Sequence, residues 1–107
     1  MPIASMDWED REDQRWIRLE GELDHEGCSA VGDRFRRAAS EGPETVVVDL
    51  GGVTFVTSDG LRLLLETRKH LRDSGRRILV AGLHEPARGV FETVGILGAI
   101  PEIDRES

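Results

Sequence analysis

Thr45-Val46-Val47-Val48-Asp49-Leu50-Gly51-Gly52-Val53-Thr54-Phe55-Val56-Thr57-Ser58-Asp59-Gly60-Leu61 is the stretch whose reading decides the fold, and it runs on into Arg62-Leu63-Leu64-Leu65. It reads as strand, turn, helix. The β-branched run Val46 to Val48 suits a buried, pleated strand, and Gly51-Gly52 after it is a turn signal. From Leu61 the apolar period changes. Leu61, Leu64, Leu65 and Leu71 recur at helical spacing, and Ser74-Gly75 supplies a stop. Ser58 therefore falls at the mouth of a helix, where two roles are open to it. As an N-cap, its oxygen accepts a backbone N–H of the first turn while Asp59 complements the helix dipole. As a modified hydroxyl, it uses the same free N–H groups and positive dipole end to accommodate a phosphate. The two roles are compatible.

The rest of the chain supplies similar units. Trp8 to Trp16 is a charged stretch consistent with a short edge strand and a polar turn. From Trp16 to Leu23 the pattern alternates, with Ile17, Leu19, Gly21 and Leu23 on one face and Arg18, Glu20 and Glu22 on the other, so one face is expected to meet water. Asp24 is placed to cap a helix whose apolar stripe is Cys28, Val31, Phe35 and Ala38, ended by Gly42-Pro43. A short strand, Ile78 to Ala81, follows the central helix. Pro86 then suits a first helical position and Gly95 a C′ position, around a buried stripe of Ala87, Val90, Phe91 and Val94. Ile96 to Ile103 leaves room for a brief last strand.

Strands alternating with helices imply βα units and parallel pairing from Trp16 onward. The expected fold is α/β: a mixed sheet of four to five strands, mostly parallel with the first antiparallel, and helices mainly on one face. In that arrangement Leu23 and Val48 end on adjacent strands, and Asp24 neighbours the Ser58 loop. The 107 residues fit one domain, 1–107.

Charge and composition narrow the function. Lys plus Arg is 14 and Asp plus Glu is 21, a net charge of −7, which argues against nucleic acid and anionic membranes as partners. Cys28 is the one cysteine and cannot form an internal disulfide; it reads as a small, buried apolar residue in a reducing setting. The first six residues lack a basic and then apolar leader pattern, and no run has the length of a membrane span, so the expectation is a cytoplasmic protein without membrane insertion.

Catalytic patterns fail on their own requirements. A serine between strand and helix is reminiscent of a nucleophile elbow, but Val56 stands where G-x-S-x-G requires glycine, although His25, His70 and His84 are available as bases. A phosphoaspartate receiver would use Asp49, yet Asp24 has no acidic neighbour with which to hold a magnesium ion. The three histidines lack ligand spacing with one another or with Cys28, and there is no phosphate-binding glycine loop. No cofactor and no metal site are assigned, and the chain is read as a non-enzyme.

Two segments together resemble one family, the STAS domains of bacterial anti-sigma factor antagonists. Leu19-Glu20-Gly21-Glu22-Leu23-Asp24 is similar to the family's L-x-G-E-L-D. Val47 to Leu61 is similar to its strand, loop and helix start, written D-S-S-G-L or D-S-T-G-L. The element order matches from about Trp8 to Ile103. The resemblance implies a protein that binds an anti-sigma factor and so releases a sigma factor. That partner is typically also a serine kinase whose phosphotransfer ends the binding, and a phosphatase resets the cycle. It places the phosphoacceptor on Ser58, with Thr57 as the alternative acceptor, and the partner-binding surface on Asp24, Thr57, Ser58, Asp59, Gly60 and Leu61. The family aspartate is Thr57 here, and Asp59 replaces the serine or threonine after the phosphoacceptor. Related STAS domains serve anion and lipid transport systems, so a scaffold or regulatory subunit of such a system is the alternative function.

Overall fold

The computed structural model describes residues 3–105. In chain order these form β1 (Ser5–Arg11), β2 (Gln14–Leu23), α1 (His25–Ser40), β3 (Thr45–Val56), α2 (Ser58–Asp73), β4 (Arg77–Ala81) and α3 (Ala87–Val94), followed by a 3₁₀ turn, Ile96–Gly98. The sheet has four strands in the order β1-β2-β3-β4. β1 is antiparallel to β2, and the β2–β3 and β3–β4 pairs are parallel. The expected last strand reduces to a single bridge between Val80 and Glu102.

The helices share one face. Val31 and Phe35 of α1, Leu61, Leu63, Leu64 and Leu71 of α2, and Ala87 and Phe91 of α3 join Ile17, Leu19, Leu23, Val46, Val48 and Leu50 in one buried cluster. Two stripes differ from the sequence reading. In α2 it is Leu63, not Leu65, that turns inward, and Leu65 remains 38% exposed. In α3 the stripe stops at Phe91, because Val94 sits in the last turn, just before Gly95 takes the left-handed φ of 73° that ends the helix.

The open face is not purely polar. Trp16, Val47, Leu79 and Ala81 form a second buried cluster there, with Ile103 packed against it. The chain after α3 thus returns across the outer face, held by Ile103 N–H donating to the Val80 carbonyl at 2.8 Å. Arg15 ties the sheet edge to α1: Nε and Nη2 hold both Asp10 oxygens at 2.8 and 3.1 Å, and Nη1 donates to the Ala38 carbonyl at 2.9 Å. Its guanidinium also lies 3.6 Å from the centroid of Trp8.

β3 corrects the reading of the central stretch. Gly51-Gly52 is no turn; the strand runs on to Val56, a 12-residue element. Along β2 the step from Arg18 to Glu20 faces the longer step from Asp49 to Gly52, and the step from Gly21 to Glu22 faces Val53 to Phe55. β3 therefore carries one extra residue at each place, the pattern of two β-bulges. Each bulge resets the alternation. The inward residues Val46, Val48 and Leu50 are two apart, whereas Leu50, Val53 and Val56 are three apart. Asp49 Oδ1 accepts the Gly51 N–H at 2.9 Å, which occupies a donor at the first bulge, and Oδ2 accepts from Arg105 Nε at 3.2 Å. The position considered for a receiver aspartate is thus a buried carboxylate that fixes the bulge. It also follows that β3 ends at Val56, paired with Leu23, and not at Val48, which pairs with Ile17.

Candidate functional site

The parallel pair β2–β3 ends level, at Leu23 and Val56, so two helices start side by side. Asp24 caps α1: its backbone is extended (φ −105°, ψ −165°) and Oδ1 accepts the Gly27 N–H at 2.8 Å. Thr57 caps α2 from the same extended conformation (φ −112°, ψ −176°), its Oγ1 accepting the Asp59 N–H at 3.3 Å. The two caps are joined through one atom. The Leu23 carbonyl accepts the Thr57 N–H at 3.1 Å and the Thr57 hydroxyl at 3.3 Å. Asp24 and the Ser58 loop are neighbours, as the parallel arrangement requires.

Ser58 is not the cap. It is the first residue of α2, and the extended backbone that a capping oxygen needs belongs to Thr57. Its side chain is exposed, and among the described residues its hydroxyl has no hydrogen-bond partner. Thr57, by contrast, is partly buried and spends its hydroxyl on both Leu23 and Asp59. Asp59 is partly exposed and lies 3.6 Å from Arg62 one turn on.

Gly60 and Leu61 do not offer surface. Both are buried, because the α2 start descends directly onto the strand ends. A Cβ on Gly60 would stand 2.6 Å from Val56 Cγ2, 2.8 Å from the Leu23 carbonyl and 2.9 Å from Leu23 Cβ. Gly27 plays the same part for α1, where a Cβ would come within 1.9 Å of the Glu22 carbonyl. Its place three residues after the capping Asp24, on the buried side of the first turn, is the sequence signal that could have found it. The surface at this end is instead Thr57, Ser58 and Asp59, with His25 and Glu26 of α1 and Phe55, which is 46% exposed. Phe55 faces Glu22 in the register after the second bulge, so plain alternation along β3 cannot place it.

Carboxylates set the charge here: Asp24, Glu26 and Asp59 cluster at the two helix starts, where the dipoles favour them. Cys28 reports their closeness. Partial burial pushes its thiol up from the ordinary value, and Asp59 and then Asp24 push it further. The arrangement presents a free hydroxyl on a rigid helix start, in an acidic surround. Among the described residues no side chain is hydrogen-bonded to the Ser58 hydroxyl, which stands open at the surface.

Among the described residues no helix is long and apolar enough to cross a membrane. The sequence model of the family described as Mlab, STAS domain, matches residues 7–101. The anti-sigma F factor antagonist of Lysinibacillus sphaericus is 30% identical over 81 residues, which cover 75% of this chain and 69% of the relative. The solved structure of the anti-sigma factor antagonist SpoIIAA in its unphosphorylated form superimposes with a TM-score of 0.76 at 23% identity, covering 95% of this chain and 90% of that one. The STAS domain of a SulP transporter from Vibrio cholerae shares the fold, with a TM-score of 0.67 at 20% identity over 85% of this chain and 73% of that one. With the two level strand ends, the paired caps and the family match over nearly its whole length, the chain belongs to the STAS domain family and is similar within it to anti-sigma factor antagonists.

Proposed function

We propose that the chain is a non-catalytic, cytoplasmic anti-sigma factor antagonist that binds an anti-sigma factor across the Ser58 end and so frees a sigma factor. The partner is also a serine kinase. Phosphorylation of Ser58 ends the binding, and a phosphatase restores it. One observation carries this reading: Thr57 takes over the capping role, which leaves Ser58 exposed on the first turn with its hydroxyl unoccupied. A capping hydroxyl is held against the first turn of its own helix, whereas this one is exposed and gives up no bond among the described residues on phosphorylation. Asp24, Thr57 and Asp59 frame the contact surface. Gly60 and Leu61 act beneath it, by setting how low α2 sits.

Thr57 is the weaker acceptor, since it is partly buried and transfer to its oxygen would remove the proton it donates to the Leu23 carbonyl. The test is affinity purification with the wild-type chain and a Ser58→Glu variant from the native cell. Recovery of an ATP-binding anti-sigma factor by the first and not the second is the expected outcome. Recovery of membrane transport subunits by both would overturn the reading in favour of a transport-system STAS subunit.

A further inference from the structure

At the end of the molecule opposite Ser58, Arg68, Arg72, Arg76 and Arg77 converge on a cleft of about 190 Å³ whose other wall is Leu79, Ala99 and Pro101. Arg68 and Arg72 stand one turn apart near the close of α2, and Arg77 opens β4 beside Thr45 at the start of β3. Ser58 lies roughly 20 Å away along α2. Among the described residues no carboxylate lines this cleft, in a chain with 21 acidic residues against 14 Lys and Arg.

Arg76 is engaged in the fold. Its Nη1 donates to the carbonyls of Ala39, Ser40 and Gly42 at 3.3, 2.8 and 3.1 Å, closing the end of α1. The others retain donors. Arg68 Nε donates to the Ala99 carbonyl at 2.9 Å, and Arg77 Nε to Thr45 Oγ1 at 3.3 Å. Each bond holds the guanidinium by its inner nitrogen, and among the described residues the two terminal nitrogens have no partner. The Arg72 side chain has no partner among the described residues. A helix end accounts for Arg72 as a cation beside the last carbonyls. It does not account for Arg68 and Arg77, fixed on two different elements around the same hollow.

We infer that this cleft binds a compact phosphate-bearing ligand with two adjacent phosphoryl groups, a pyrophosphate in chemical class. Guanidinium forks match phosphate oxygens in bidentate fashion, and forks placed on two different elements can hold the oxygens of two linked phosphoryl groups at once. The net charge of −7 repels an extended polyanion, whereas a small anion responds to the local field of the cleft. The apolar wall leaves a place for an organic body such as a nucleoside. This site is separate from Ser58 and does not depend on the regulatory reading.

The experiment is an amide chemical-shift titration of the full chain at low ionic strength with inorganic pyrophosphate, ADP and adenosine. Saturable shifts at Arg68, Arg72, Arg77 and Ala99 with pyrophosphate, and none at Ser58, are expected. Tighter binding of ADP than of pyrophosphate would assign the wall to a nucleoside; equal binding would leave free pyrophosphate as the ligand. Arg68→Gln and Arg72→Gln should each weaken binding about tenfold or more, the loss of one charge-assisted contact. Arg37→Gln, which removes the same charge elsewhere, should leave it unchanged. Thermal melting keeps folding separate from binding: pyrophosphate should raise the melting temperature of the wild type and not of Arg72→Gln. Failure to saturate below about 10 mM, shifts centred on Ser58, or an equal loss in Arg37→Gln would overturn the proposal.

Discussion

Thr57→Ala and Ser58→Ala separate the cap of α2 from its exposed hydroxyl. Removing the Thr57 hydroxyl leaves the Asp59 N–H without its acceptor and the Leu23 carbonyl with one donor fewer. Loss of a threonine cap costs about 0.5 to 2 kcal/mol. Both Thr57 contacts are 3.3 Å long, at the weak end for such bonds. A value near the middle, about 1 kcal/mol, is therefore expected. In a domain of 107 residues this lowers the melting temperature by about 4 °C. Ser58→Ala removes no bond that the described residues make and adds slight helix propensity, so its stability should stay within about 0.5 kcal/mol of wild type. Urea denaturation monitored by circular dichroism and by tryptophan fluorescence measures both variants. A Ser58→Ala loss equal to or larger than that of Thr57→Ala would refute the assignment of the cap, and with it the argument that Ser58 is free for modification.

Two further outcomes follow from the same geometry. Gly60→Ala must displace Val56 or Leu23, a strain of about 1 to 3 kcal/mol offset by less than about 1 kcal/mol of helix propensity, so a net loss is expected in urea denaturation. Gly98→Ala, with no atom within 4 Å of the added Cβ, is the neutral control, and equal stability of the two variants would contradict the packing described. Cys28, with its thiol raised, holds little thiolate at neutral pH and should react with iodoacetamide more slowly than the unfolded chain does. The sign for stability follows: the folded state keeps the proton longer, so its advantage is present below the unfolded thiol value and is lost as pH rises through the folded one. Asp59→Asn should speed the alkylation, and an unchanged rate would place Asp59 too far from Cys28 to act on it.

The units with a regular period were legible in the sequence: the antiparallel β1–β2 edge, the parallel strands from Trp16, the Asp24 cap and the left-handed stop at Gly95 all follow from local patterns. Misreadings arose where a local signal serves two geometries. Gly51-Gly52 marks a turn or a bulge equally well, and only pairing with β2 decides between them. At the α2 start, threonine and serine both cap well, and which one does so depends on where the extended backbone ends. Leu63 and Leu65 differ by 200° around a helix, so a leucine-rich run cannot show which faces the sheet until the α2 start is fixed by Gly60. The outer-face cluster was invisible because Trp16, Val47, Leu79, Ala81 and Ile103 come from four separate segments. The Ser58 neighbourhood was legible as a motif; the burial of Gly60 and Leu61 beneath it was not.

Under the proposed function, a phosphate on Ser58 is expected to act at the interface and to leave the fold intact. The group carries about −1.5 to −2 charges at neutral pH. In the free domain it meets the favourable helix start, worth about 0.3 to 1 kcal/mol, opposed by Asp59 and the nearby Asp24. Those terms nearly cancel at an exposed position. Against a partner surface shaped for a neutral hydroxyl, the buried charge is left unpaired at about 3 to 5 kcal/mol, roughly a hundredfold or more in affinity. The deciding measurement is calorimetric titration of the anti-sigma factor with Ser58-phosphorylated and unmodified protein, with a thermal melt of each. Binding weakened about a hundredfold or more with nearly equal melting temperatures is the predicted result; unchanged affinity, or a large fall in melting temperature on phosphorylation, would contradict it.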